Sequence, residues 1–371
     1  MSEVTQSYVP GTHPDMAPPA GQRGILLWLR KNLFSSWANS IMTIVGIYLL
    51  YKIVPPMFNW AVVDAVMYAG NREECQALGS GACWAFIKDR YRILIYGFYP
   101  EELRWRVDVS FLLLCAALVP ILFDNAPMRK PWMLFSVSYP FIAGWLLLGG
   151  AGLTPVGTDE FGGMMLNTVV GVTGIAFSLP LGILLALGRQ SHLPIVKSVS
   201  MCFIEFIRGV PLITLLFVAS TMLNYFLPPG TTFDLLLRVL IMVTLFSAAY
   251  IAEVVRGGLQ AIPNGQYEAA NSMGLKYWQS MRLIVLPQAL KISIPGIVNT
   301  FIGLFKDTTL VLIIGLLDIL GIGRSSMADA KWNGLSNEVY ISIAIFFFIA
   351  CFGMSRYSIY LEGKLEKGHK R

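Results

Sequence analysis

YEAANSMGLKYWQSMRLIVLPQAL, Tyr267 to Leu290, is a polar, helix-forming stretch between two long apolar runs. Pro263 and Asn264, just upstream, are good residues for starting a helix. Gln266 to Met273 holds no strong helix breaker, and Gly274 can adopt positive φ and stop the helix. Lys276 to Leu286 then predicts a second helix, closed by Pro287. Ala269 and Ala270 leave little side-chain bulk, so another surface can approach closely. Glu268 lies near a helix N-terminus, where the macrodipole tolerates an anion. The residues fit two readings: a projecting helix-turn-helix that docks on a second protein, or an ordinary surface loop with capped helices.

The flanking sequence sets the surroundings of this loop. The chain has 371 residues, 55% hydrophobic and 13% charged, where soluble domains carry about 25% charged residues. Apolar runs of membrane-spanning length predict an all-α membrane protein with about eight transmembrane helices, near 40–60, 107–124, 131–152, 165–188, 199–226, 233–258, 284–304 and 338–360. The net charge of +6 makes no contiguous patch. It falls mostly between apolar runs, which argues against nucleic acid and for a bilayer.

Charge alternation orients the spans. The loops 125–130 and 189–198 and the tail 361–371 are basic. The loop 153–163 has only acids, and 227–232 has no charge. Both termini are therefore expected in the cytoplasm, together with the 264–287 loop. Residues 66–106 are expected outside, although their many bases are only balanced by acids. Residues 1–24 hold no apolar signal-peptide core and predict a disordered cytoplasmic tail. GILLWLRKNLFSSW beyond them suits an interfacial helix. The expected organisation is an N-terminal extension over 25–159, with three spans and the 66–106 loop, followed by a five-span unit over 160–360. Cys75 and Cys83 share the outer loop and are a disulfide candidate if that loop faces an oxidising compartment; two free thiols are the alternative. The three histidines, His13, His192 and His369, form no metal spacing with the cysteines.

Glu268-Ala269-Ala270, Gly274 and Ile284-x-Leu286-Pro287 resemble, in residue and spacing, the EAA signature of ATP-binding cassette importer permeases. IEFIRGVPLITLLF (204–217), AAYIAEVVRGGLQAIPNGQYEAA (248–270) and FKDTTLVLIIGL (305–316) are similar to the polar amino acid permease subfamily, with Val210 where that pattern has Thr. GACWAFI (81–87) and GFYPEELRWR (97–106) look like the M-type subunit of general L-amino acid importers. The resemblance implies a type I importer core whose 264–287 loop carries the coupling helix. Glu268, Ala269, Ala270 and Gly274 would contact the ATPase. It also implies two ATPase subunits carrying ATP and Mg, a second homologous permease subunit (a heterodimer), a periplasmic amino acid-binding protein and residence in a bacterial inner membrane.

The chain has no GxxxxGK[ST] loop to cradle a phosphate and no catalytic set, so it is expected to transport and not to catalyse. Ionisable residues within spans are the remaining pointers. Glu205 with Arg208 and Glu253 with Arg256 have i,i+3 spacing, which predicts two local ion pairs near the cytoplasmic ends. Asn299, Thr300, Lys306, Asp307 and Thr308 are candidates to line the path of a zwitterionic amino acid; capping and inter-helix hydrogen bonding would also explain them. The rival class is a self-sufficient secondary transporter or channel, which would more often display an inverted repeat or a broken-helix pair.

Overall fold

The computed structural model describes residues 24–123, 128–222, 225, 228 and 233–369. The tail expected over 1–24 lies outside them except for Gly24, as does most of the uncharged loop 227–232. By compactness the chain forms two units, one comprising residues up to Val66 with Ala77–Ala82, the other Met67–Gln76 with Cys83–Arg371. The spans of the N-terminal extension beyond residue 100 therefore share a unit with the C-terminal five.

In the first unit, α1 (Ile25–Asn32) leaves Ile25 and Trp28 exposed. This suits a helix lying in an interface. Ser36 caps α2 (Trp37–Phe58) by accepting from the Asn39 N–H at 3.2 Å. A π-turn over Asn59–Val63 extends it. The segment ending in Ala82 is tied back by Ala82 N–H to Trp60 O (2.7 Å) and Gly81 N–H to Asp64 O (3.2 Å).

The second unit holds α3 (Arg72–Leu78) for most of its length, α4 (Trp84–Tyr96), α5 (Arg104–Leu122), α6 (Arg129–Leu148), α7 (Gly163–Arg189), α8 (Pro194–Gly209) and α9 (Leu212–Phe217). It continues with α10 (Leu235–Gln260), α11 (Asn264–Ser272), α12 (Tyr277–Ser280), α13 (Leu286–Asp307), α14 (Ile319–Met327) and α15 (Ser336–His369). Among the described residues, seven helical segments are long and apolar enough to span a bilayer, and a bent pair makes an eighth.

That pair occupies the fifth expected span, near 199–226, and is bent. Pro194–Gly209 and Leu212–Met222 meet at 102°. The cause is local, in Gly209-Val210-Pro211. A residue before proline is pushed out of the helical region, and Val210 sits at φ −111°, ψ 132°.

α7, α10 and α13 carry two apolar cores. One joins Leu166, Val170, Val243 and Leu304 with Tyr99 and Phe161. The other joins Ala186, Ile251, Val255, Val285 and Ala289 beside α11.

Cys75 and Cys83 are bridged, the bonded alternative of the two the sequence left open. The Cys83 N–H donates to the buried Glu338 at 2.9 Å, and Trp332, fully buried, donates to Asp89 at 2.8 Å. Arg90 pairs with Asp329, and the Arg72 N–H reaches Lys331 O at 3.0 Å. The α3–α4 segment is thus fastened to the α14–α15 connection. Closing a loop with a sequence separation of 8 contributes roughly 2.5 kcal/mol through the unfolded chain. The Cys75→Ser, Cys83→Ser double variant is expected to unfold several degrees lower in detergent, and reductant should lower the parent to match it.

Candidate functional site: the 264–287 loop and the ion cluster behind it

The loop forms as its residues dictate. Pro263, at φ −59° and ψ 140°, precedes α11. Gly274 turns at φ +71°. Its N–H donates to Asn271 O at 2.9 Å, and the Leu275 N–H donates to Ala270 O at 3.2 Å. An L side chain at that φ is strained, so glycine sets where the helix stops. Gln279 then caps α12 by accepting from the Lys276 N–H at 3.0 Å.

Pro287 does not close the second helix. The chain runs helically from Tyr277 through a π-turn at Met281–Val285 into α13, with Pro287 in the first turn of α13. Proline has no N–H for the carbonyl four residues back and crowds it. The wider π-turn lies where that conflict would fall, so the helix continues into the span.

The signature residues divide into two roles. Glu268, Ala269 and Gly274 are exposed. Ala270 is fully buried, so the partner contact expected of it is not available: it faces the body of the protein, and only its neighbours present themselves outward. Ile284 and Leu286 are half-buried, with Ile284 packed on the core that includes Val285; Pro287 is exposed. The Gln288 amide donates to Gln266 Oε1 at 3.0 Å and to Ile284 O at 2.9 Å. The Tyr267 hydroxyl meets Leu259 O at 3.4 Å. These bonds tie α11 to both neighbouring spans.

Three residues not singled out from the sequence complete the surface. Met273, Tyr277 and Trp278 are large, apolar and exposed, Met273 at 75%. The segment Tyr277–Ile314 has 38 residues, more than the ~20 a helix needs to cross hydrocarbon. The segment is therefore longer than the bilayer core requires. Apolar side chains inside an otherwise polar loop were the available signal.

Behind the loop, the ion pairing differs from the i,i+3 expectation. Glu253 and Arg256 do pair, with Nε to Oε2 at 3.0 Å. Glu205 does not pair with Arg208. Arg189, at the end of α7, bonds Glu205 at 2.9 Å and Glu253 at 3.3 Å. Arg208 turns to Glu253 at 3.8 Å and lies over the Tyr250 ring at 5.4 Å. Mutual packing of α7, α8 and α10 brings Arg189 within reach of both carboxylates. One carboxylate thus joins α7, α8 and α10 just before α11.

Glu253→Ala removes the carboxylate, 23% exposed, that Arg189, Arg208 and Arg256 share, and leaves Arg256 without its ion-pair partner. It is expected to lose about 1.5–3 kcal/mol. Glu205→Ala, at 61% exposed, should lose less than about 1 kcal/mol. Thermal unfolding of the two variants in one detergent checks the contrast.

The path candidates are dispersed. Asn299 and Lys306 are exposed, and Thr300 bonds back to Gly296 O at 2.9 Å. α13 ends at Asp307, and a 3-10 segment follows over Thr308–Ile314. Thr308 is buried; its hydroxyl donates to Phe305 O (2.7 Å) and accepts from Asn167 (2.9 Å). Asn167, also buried, donates to Asp318 at 3.2 Å and accepts from the Ile319 N–H at 2.9 Å. Burial pushes the Asp318 carboxyl above the usual carboxylate range, and hydrogen bonds from the Gly321 N–H and Asn167 act against that rise. The knot joins α7 to the start of α14. Asn167 and Asp318 lie far apart in sequence, so only the fold reveals it. A cavity of about 580 Å3 lies between α5, α6, α7 and α10, lined by Tyr139, Phe141, Phe161 and Met165 among others, and none of the path candidates borders it.

A helical membrane unit with a two-helix loop tied by hydrogen bonds to two of its spans fits the class of transport permease subunits. The chain belongs to the family described as binding-protein-dependent transport system inner membrane component, which matches residues 178–365. It is similar to the inner membrane amino-acid ABC transporter permease protein YhdY of Escherichia coli (strain K12), at 47% identity over 96% of this chain and 97% of that one. It is 46% identical to the glutamate/glutamine/aspartate/asparagine transport system permease protein BztC of Rhodobacter capsulatus, over 95% of this chain and 96% of that one. A solved amino acid ABC transporter, crystallised with histidines, is 28% identical with a TM-score of 0.48, covering 54% of this chain and 91% of that one. The chain is a transport subunit of an ATP-driven importer and not an enzyme. The secondary-transporter reading therefore falls, although one broken span is present.

Proposed function

We propose that this subunit passes L-amino acids from a periplasmic binding protein across a bacterial inner membrane by alternating access. Two ATPase subunits, which carry the ATP and Mg, would sit below and a second homologous permease subunit beside it. The observation that carries the reading is the exposed surface of Glu268, Ala269 and Met273 on a lever anchored by the buried Ala270 and the Gln266–Gln288 bond. ATP-driven closure of the ATPases moves α11. The spans tied to it then open the path outward, and hydrolysis resets them. Amino acids as cargo rest on the relatives' names, YhdY and BztC.

The Cys75–Cys83 bridge supports placing the 66–106 loop on the oxidising, periplasmic side, and with it both termini in the cytoplasm. The dispersal of Asn299, Thr300, Lys306, Asp307 and Thr308 fits a path with one wall in this subunit and the other in its partner. Purification in mild detergent with identification of every subunit by mass tests the reading. It expects an ATPase and a second permease in the complex. If no ATPase co-purifies and Glu268→Lys leaves uptake intact, the reading is wrong.

A further inference from the structure

The middle of α2 carries features that lipid does not satisfy. Its span, Trp37–Val63, is 27 residues long with at most two charges in its apolar window, and Lys52 lies close to its midpoint. At 1.5 Å per residue in a hydrocarbon layer of ~30 Å, a span centred on that layer puts Lys52 roughly 12 Å from the nearer interface and roughly 18 Å from the other, beyond the reach of a lysine stem. A cation at that depth is costly and normally faces protein or water. Among the described residues of its own unit, Lys52 has only the Tyr48 ring, 5.9 Å from its ammonium. Asp64, the one carboxylate among that unit's described residues, is three turns further along.

The backbone adds a second, independent demand. Pro55 and Pro56 stand inside the helix. The Lys52 carbonyl therefore meets residues without an N–H at both i+3 and i+4, and the Tyr51 carbonyl meets one at i+4. Carbonyls released in hydrocarbon are tolerated where neighbouring helices or water reach them. Helical spacing puts Tyr48, Lys52, Pro56 and Asn59 on one face. That face carries a phenol, an ammonium, a freed carbonyl and an amide, and nothing in its unit buries α2.

We infer that this face of α2 docks a transmembrane helix of a second membrane subunit that presents a carboxylate at mid-depth. The chain's other spans do not supply one. Glu205 and Glu253 are held by Arg189, Asp108 by the Tyr96 hydroxyl at 2.7 Å, and Asp307, Glu338 and Glu362 lie toward the ends of their spans. The inference rests on the proposed pairing with a second membrane subunit. It is stated for the acid-bearing helix, whichever subunit carries it.

The test uses the assembled transporter in native membranes, with p-benzoylphenylalanine in place of Tyr48 on this face, or of Leu50 on another. Illumination is expected to join position 48, and not position 50, to a second membrane subunit identified by mass. Lys52→Leu should lower both the crosslinked fraction and the partner recovered in mild detergent by about tenfold or more, and Lys52→Arg should retain them. Lys52→Leu makes the span more apolar, so failed insertion cannot account for a loss. The inference is overturned by crosslinks from position 48 only to lipid or within the chain, or by unchanged partner recovery in Lys52→Leu. ATPase recovery, scored in the same preparation, separates the two readings. A crosslinked membrane subunit without an ATPase sinks the importer arrangement and leaves this contact standing.

Discussion

Glu268→Lys is expected to lower uptake by about a hundredfold or more while the subunit still folds and inserts. Glu268 is exposed on α11, and its side chain has no partner within the chain among the described residues. Its reversal therefore removes nothing that holds the subunit together; surface changes of that kind usually stay within about 0.5 kcal/mol. At a docked surface the same change sets a cation against a site that complements an anion. Losing one partner of a buried charged contact costs about 2–5 kcal/mol, and about 2.7 kcal/mol is a hundredfold in affinity. ATPase recovery and uptake should fall together, with thermal unfolding of the isolated subunit unchanged. Normal uptake in Glu268→Lys would restrict this residue to tuning its own helix. Ala270→Leu should behave in the opposite way. It forces bulk into a fully buried position and should destabilise the isolated subunit by about 1–3 kcal/mol.

Gly97→Val should be among the most damaging single substitutions outside the loop. Gly97 sits at φ +64°, and a Cβ there would lie 2.4 Å from the Gly162 Cα and 2.6 Å from its carbonyl carbon. Both obstacles are backbone, which no rotamer change relieves. A β-branched residue adds roughly 1–2 kcal/mol of left-handed strain, and overpacking adds about 1–3 kcal/mol. The sum is a large share of what a membrane subunit has to lose, and the folded yield in detergent should collapse. Gly144, on α6, has nothing within 4 Å of its would-be Cβ. Gly144→Ala is expected to hold or gain up to about 1 kcal/mol. Equal yields from the two variants would mean that the approach of Gly97 to Gly162 contributes little.

The spans, the two-helix loop and its glycine turn were legible in the sequence, because hydropathy, capping residues and positive-φ tolerance act over a few neighbours. The signature at Glu268, Gly274 and Pro287 was legible for the same reason. The break at Gly209-Val210-Pro211 was written just as locally and was outweighed by the continuous apolar run around it. The i,i+3 spacing of Glu205 and Arg208 misled because it counts only partners on one helix.

By itself the sequence determined that this is a helical membrane protein with a polar lever between two spans, since burial in lipid and helix termination are set by composition and short-range backbone rules. Only the tertiary structure decided which residues of the lever face outward, that Arg189 bridges Glu205 and Glu253, and that Asn167, Thr308 and Asp318 meet in one buried knot. Those outcomes depend on how α7, α8, α10 and α13 pack. Packing joins residues far apart in the chain, and no local pattern records that pairing.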